Sequence, residues 1–363
     1  MEKALTQLKS SIGKIFNWHK SRIDCFSKML IALMSKQTVN LQQLATHFNG
    51  KAQIESNYRR IQYFLKQVEF DYEALAKWCY HHMIDTDKQV YLSMDRTNWK
   101  WGQSDINILM LSIVYEGISI PIYWELLPHR GNSDHAIRTK LIQRFIDTFG
   151  TEKIAGLLAD REFIGKQWLA WLKENKIPFV IRVKNNLICT NKRGGRIKLS
   201  ALFQNIQVGK IKKPEQQRKL FGLLLSITAT RSSDGELVIV ISDIDLPNAL
   251  SVYSKRWEIE NLFQALKGRG FHFEDTHITD PVKISKILAL LCIGFCWAHK
   301  AGEYKDLKDK PIKRKKHGRL QSTYFRYGLN MICHAYEQTK RTIKPFKKCI
   351  QILSKTNFEM GLL

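Results

Sequence analysis

From residue 89 onward the apolar residues fall into short blocks whose spacing and order constrain the chain to an α/β layer. Gln89–Met94 (QVYLSM) reads as a strand that delivers Asp95 at its end. Ile106–Tyr115 and Ile118–Leu127 are two longer strand-like stretches around Glu116-Gly117, a hairpin signal. Ser133–Phe149 carries Ala136, Ile137, Leu141, Ile142, Phe145 and Ile146 at helical spacing. Ile154–Ala159 is a short apolar strand ending at Asp160, followed by a helix over about Ile164–Glu174 and a strand over Pro178–Val183. Three strands, then helix, strand, helix and strand describe an α/β layer with one antiparallel portion.

The flanks have a different texture. Residues 1–85 read as short helices. Ile23, Phe26, Met29, Leu30, Leu33 and Met34 recur near helical spacing, and Asn40 is placed to cap the next helix. Asn57 precedes YRRIQYFLKQ, where Ile61, Phe64 and Leu65 can face inward and Arg59, Arg60 and Lys66 outward. Helices with basic outer faces suit a small DNA-binding bundle, and equally a bundle that packs against a partner. After the first core segment, 86–184, the rhythm breaks. Lys184–Lys219 holds ten Lys and Arg against one acid, Glu215, around a Gly194-Gly195 turn. Residues 185–236 are read as a mainly β insertion. The core resumes over 237–300 with a strand, Leu237–Ser242, a long helix, about Leu250–Lys267, and another at about 284–302. Residues 301–363 are read as a basic helical C-terminal region containing KRKK at Lys313–Lys316.

Charge narrows the partners. The chain has 363 residues, 58 Lys and Arg against 33 Asp and Glu, and a formal net charge of +25, which favours a polyanion. At 44% hydrophobic residues it can bury a large core, which excludes a disordered chain. Seven scattered cysteines without a CxxC pair exclude a disulfide-stapled module and indicate buried thiols in a reducing compartment. No secretory signal is expected at the N-terminus, and the apolar run Ile287–Ala298 is short for a membrane span. A soluble cytoplasmic protein without a membrane partner is the expectation.

A basic chain that sets acids at strand ends invites a metal reading. If the strands ending at Asp95 and Asp160 are neighbours, both carboxylates reach one sheet edge, where ligands commonly bind. Carboxylates, water and phosphate oxygens are the donors Mg²⁺ prefers, and two ions about 4 Å apart can activate a water and steady a leaving oxygen at phosphorus. A third acid would come from Glu258 or Glu260 on the long helix. In YSKRWEIENLFQALK, Tyr253, Arg256, Glu260 and Lys267 are spaced +3, +4 and +7 and form one helical stripe. Such a stripe is also what a solvated helix face looks like.

The complete pattern Tyr253-x2-Arg256-x3-Glu260-x6-Lys267, with Asp95 in YLSMDRTNW and Asp160 in LLADREF, resembles the signature of the DDE transposases typed by bacterial insertion sequence 4. The resemblance spans most of the chain. It implies an RNase H-like catalytic core with a β insertion between the second Asp and the Glu. It implies a triad of Asp95, Asp160 and Glu260 binding two Mg²⁺, with Mn²⁺ as a substitute, and leaves Glu258 as runner-up. Tyr253, Arg256 and Lys267 would handle the DNA backbone, Glu162 would support the site, and Arg161 would contact DNA or brace Asp160.

The implied activity is cut-and-paste transposition. Water cleaves double-stranded DNA at terminal inverted repeats, and the 3′-hydroxyl joins target DNA by transesterification, in relatives through a hairpin. A dimer in a paired-end complex, cutting in trans, and work at the bacterial nucleoid follow from the same resemblance. In relatives an aromatic in the insertion receives a flipped base. No Trp lies between residues 185 and 250 here, and Phe203 and Phe221 carry no matching motif. Trp257 is read as a packing residue, and Trp99 and Trp101 as either stacking near the site or packing its loop. The rival readings are a metal-dependent endonuclease without strand transfer and an inactive DNA-binding derivative.

Overall fold

The computed structural model describes residues 2–48, 50, 52–84, 88–316 and 318–355. The expected boundary between the N-terminal bundle and the core, at 85/86, lies outside the described residues, as do 356–363 of the C-terminal region.

Five helices open the chain: α1 (Glu2–Ile15), α2 (Lys20–Lys36), α3 (Leu41–Ala45), α4 (Ile54–Gln67) and α5 (Tyr72–Met83). Their starts are chemically marked. Asn40 accepts from the amides of Gln42 and Gln43, and Asp71 from those of Glu73 and Ala74, satisfying donors that a first turn leaves unpaired. α4 begins at Ile54, its Ile61, Phe64 and Leu65 face inward, and Asn57 lies inside it, buried, donating to the Ala45 carbonyl. Phe16, Trp18, Phe26, Phe64 and Phe70 form the aromatic centre of the bundle, with Phe16 and Trp18 stacked 4.1 Å apart. Asp24 ties three helices together through Lys9, Lys28 and Arg60.

The core is a twisted sheet. β1 (Val90–Trp101), β2 (Ser104–Tyr115) and β3 (Ile118–Leu126) form an antiparallel meander, and β4 (Ile154–Ala159) and β5 (Phe179–Val183) add in parallel to β1. The order β3-β2-β1-β4-β5, with α6 (His135–Phe149) and α7 (Lys166–Glu174) in the connections, is the RNase H-like arrangement that the resemblance implies. The β2–β3 turn puts Glu116 and Gly117 both at positive φ, which suits Gly at the second position. Ile106–Ile113 and Ile118–Trp124 are buried without alternation, because helices cover both faces of these strands.

Beyond β5 come β6 (Ile188–Thr190), β7 (Arg196–Lys198), α8 (Leu199–Leu202), β8 (Ile211–Lys212), β9 (Arg218–Leu220), β10 (Leu223–Arg231) and β11 (Leu237–Ser242). The β-rich insertion is not a separate layer. β11 pairs antiparallel with β5, β10 with β11, and β8 with β10, so the main sheet continues into it. β6 and β7 form a separate two-stranded ribbon.

The expected long helix over Leu250–Lys267 is segmented: α9 (Ala249–Ser254), a 3₁₀ turn at Lys255–Trp257, and α10 (Glu258–Leu266). Lys267 is the non-helical cap. Val252 and Ala249 of α9 pack on Leu158, Val180 and Val240 of the sheet. α11 (Pro281–Lys308) is apolar nearly all round and therefore runs through the interior. It is long and apolar enough to cross a membrane, yet 78% of its most apolar window is buried inside the protein. α12 (Tyr324–Glu337) crosses it closely, and α13 (Lys344–Ser354) completes the C-terminal helices. Six of the seven cysteines are buried, Cys333 is half-buried, and all are free thiols.

Candidate active site

Parallel register brings the two aspartates together. Met94 of β1 lies opposite Ala159 of β4, so the next residues, Asp95 and Asp160, sit side by side where the two strands part. Asp95 is not at a strand end, as the sequence suggested. β1 runs on to Trp101 because its second half, Arg96–Trp101, keeps pairing with β2 after β4 has stopped. Asp95 Oδ1 accepts from the Arg96 amide at 2.8 Å, and Asp160 Oδ1 from the Arg161 amide at 2.7 Å.

The segmented helix supplies the rest. Tyr253, at the end of α9, donates its hydroxyl to Asp160 Oδ1 at 3.4 Å. Arg256, in the 3₁₀ turn, bridges two acids: Nη1 lies 3.1 Å from Asp95 Oδ2 and Nη2 2.8 Å from Glu260 Oε1. The Arg256 side chain is 8% exposed, so this bridge is shielded from water. Lys267 points to other partners. Its Nζ donates to the Asn98 carbonyl at 3.2 Å, pairs with Glu274 at 2.8 Å and stands over the Trp99 ring. Five of the six predicted residues thus meet, and Lys267 stands at the adjoining edge of β1.

Electrostatics mark Asp95. Burial pushes its carboxyl up to about 6 against the Arg96 amide and the Arg256 charge, with Glu162 and Asp160 adding repulsion. A desolvated acid among like charges is a group that a cation would stabilise. The donor set is all carboxylate oxygen, the type a hard divalent ion takes. Among the described residues, however, no three His, Cys, Asp or Glu are arranged to hold one ion. The Arg256 guanidinium lies between Asp95 and Glu260, bonded to both.

Glu258 is engaged elsewhere. It accepts from the Tyr115 amide at 3.0 Å at the β2–β3 turn, and burial pushes it up to about 7 against the backbone donors of Gly117 and Tyr115. Asn261 donates to the Gly117 carbonyl at 2.8 Å, so α10 is fastened to that turn twice.

Behind the carboxylates stands Glu162, expected to support the site, with a partner that sequence reading missed. Arg96 forks onto Glu162, Nε to Oε1 at 2.6 Å and Nη2 to Oε2 at 2.8 Å. It also donates to Asn107, Asn132 and the Gly131 carbonyl. Glu162 therefore supports the site, and the Arg161 side chain is exposed. The available signal was a basic residue one position after Asp95 and an acid two positions after Asp160.

Among the aromatics Trp257 departs from the expected packing role, whereas Trp99 and Trp101 fall within the alternatives left open for them. Trp257 is 59% exposed and does not pack the core. Trp99 packs on Phe273 at 4.9 Å, and Trp101 stacks on His277 at 3.9 Å. In the insertion Phe203 is fully buried.

The Transposase DDE domain family matches residues 83–297, more than half of the chain and the whole span from β1 to α10. A cryo-EM structure of a piggyBac transposase synaptic complex with hairpin DNA is similar at 12% identity and a TM-score of 0.48, over 98% of this chain and 83% of that one. Comparison with curated protein sequences finds no match. With a family match that encloses both aspartates and the helix carrying Arg256 and Glu260, the chain belongs to the Transposase DDE domain family.

Proposed function

We propose that this chain is a cut-and-paste DNA transposase of the insertion-sequence-4 type, with Asp95, Asp160 and Glu260 as its catalytic acids. The observation that carries the reading is the convergence of Asp95, Asp160, Tyr253, Arg256 and Glu260 from β1, β4 and the α9–α10 segment on one edge of the sheet. Asp95, Asp160 and Glu260 would hold two Mg²⁺, or Mn²⁺, once Arg256 no longer separates Glu260 from Asp95. Bound there, the ions would polarise a water or a 3′-hydroxyl and neutralise charge at the scissile phosphate.

The chain's own groups have distinct tasks. Asp95, desolvated and fixed by the Arg96 amide, keeps its carboxylate oriented with little reorganisation. Arg256 offers a planar fork and Tyr253 a hydroxyl, both suited to phosphate oxygens. Lys267, at the Trp99 edge, would hold a neighbouring phosphate as a point charge. The ends would be double-stranded DNA with terminal inverted repeats, bound by a dimer at the bacterial nucleoid, in the cytoplasm. A groove between α4 and the start of α11, lined by Tyr58, Arg59, Tyr63, Lys66 and Lys283, supports DNA contact by the N-terminal bundle. Cationic residues clustered in the insertion supply backbone affinity without sequence specificity.

The test supplies DNA bearing the element's flanking inverted repeats, a target plasmid and Mg²⁺. Strand-transfer products are expected, and Asp95→Asn, Asp160→Asn and Glu260→Gln should each reduce them by at least roughly a thousandfold, as loss of a principal catalytic charge does. End cleavage without joining would identify an endonuclease instead. Full activity in the three variants would overturn the triad.

A further inference from the structure

The Arg256 guanidinium does two things a divalent ion would do. It bonds Asp95 and Glu260 at once, and it stands among the acids of the site at 8% exposure. A divalent ion held between Asp95 Oδ2 and Glu260 Oε1 would meet the guanidinium in that position, so the two cations would compete for it. Of the neighbouring acids, Glu162 is forked by Arg96 and Asp160 takes the Tyr253 hydroxyl and the Arg161 amide, so Arg256 is the cation on the Asp95–Glu260 pair.

Arg256 also has somewhere to go. It is carried by the three-residue 3₁₀ turn between α9 and α10, a weaker hydrogen-bonded link than an α-helix. Next to it, Trp257 presents a ring that is 59% exposed, with the guanidinium carbon 5.7 Å from its centroid. The guanidinium is thus already in cation–π range of that face, and of the Tyr253 ring at 5.9 Å, contacts it could keep on leaving the acids.

We infer that Arg256 is an internal counter-cation that competes with the divalent metal for Asp95 and Glu260, so that metal entry and release of the guanidinium are one event. This rests on the metal-site reading above, and it adds that the metal-free protein is held shut by its own side chain. The released fork then becomes available to a phosphate, so cation and DNA would favour one another's binding by linkage.

The test is calorimetric titration of the full-length protein with Mn²⁺ and Mg²⁺ in the absence of DNA. Arg256→Gln should bind Mn²⁺ about tenfold more tightly than the wild type, about 1.4 kcal/mol. Arg256→Lys, whose single ammonium meets one carboxylate at a time, should gain about threefold. In chelator the Gln variant should melt below the wild type, and millimolar Mn²⁺ should raise its melting temperature by more. If the Gln variant does not fold, the Lys variant decides. A folded Gln variant, or in its place the Lys variant, that binds Mn²⁺ no more tightly than the wild type overturns the inference and leaves the metal site standing. If wild type and variants bind no Mn²⁺ and behave like Asp95→Asn, the metal reading falls as well.

Discussion

Single residues decide the electrostatics of this site, and Arg96 is the one whose effect is easiest to isolate. Its fork onto Glu162 is charge-assisted and mostly buried, with side-chain exposures of 16% and 23%. Arg96→Met should lower stability by about 2 kcal/mol in urea unfolding, because Glu162 is left charged beside Asp95 and Asp160. Adding Glu162→Gln should recover part of that loss, and a double variant that costs the full sum would deny the coupling. Arg96 sits next to Asp95 in the sequence, and its neighbour Asp95 was legible because an apolar run precedes it. The Arg96 partner, 66 residues away, was not legible, since only the β1–β4 register brings them together. The Trp257 ring was misread for a related reason. Helical spacing says which residues share a face but not which face the fold leaves open to solvent.

At the scale of elements, the stripe survived the 3₁₀ break at Lys255–Trp257 and was lost only at the end of α10. Arg256 and Glu260 meet as an i,i+4 pair, while Lys267 departs because α10 ends at Leu266. The sequence has no Pro or Gly in Tyr253–Lys267 to announce the 3₁₀ turn, so that break was not readable. The succession of strands and helices in the α/β layer was readable, because the strands are short apolar blocks and the helices carry apolar residues at helical spacing. Another element-level feature is the crossing of α11 and α12. A Cβ on Gly328 would sit 1.8 Å from the Ala298 carbonyl oxygen, and one on Gly302 would sit 1.9 Å from that of Tyr324. Backbone meets backbone there, so neither side can yield without separating the helices. Gly328→Ala should therefore destabilise by about 1–3 kcal/mol in urea unfolding, although the same change in an open helix would stabilise by up to about 1 kcal/mol. A more stable Gly328→Ala would contradict that crossing.

Across the whole molecule, α11 joins the N-terminal bundle, the sheet and the C-terminal helices, and it carries a buried charge cluster. Lys300, fully buried, pairs with Glu303 at 2.6 Å and donates to the Tyr115 hydroxyl, while His299 bonds the other Glu303 oxygen at 3.0 Å. Burial alone would raise the Glu303 carboxyl, but His299 and Lys300 outweigh it and hold it at about 2, below an ordinary 4.5. The stabilisation is present above pH 4.5 and is lost as pH falls through 2, because the unfolded chain takes up the proton first. Glu303→Gln should cost about 3–5 kcal/mol at pH 7 by stranding Lys300. The gap in melting temperature between variant and wild type should narrow at pH 3. A gap independent of pH would show that the carboxylate charge is not what matters there. The sheet makes a last point about mechanics. β8 and β10 of the insertion lead through β11 to β5, each strand hydrogen-bonded to the next, and β5 pairs with β4, which ends one residue before Asp160. A load placed on the insertion would therefore reach the sheet edge that carries Asp95 and Asp160 through paired strands rather than across a hinge.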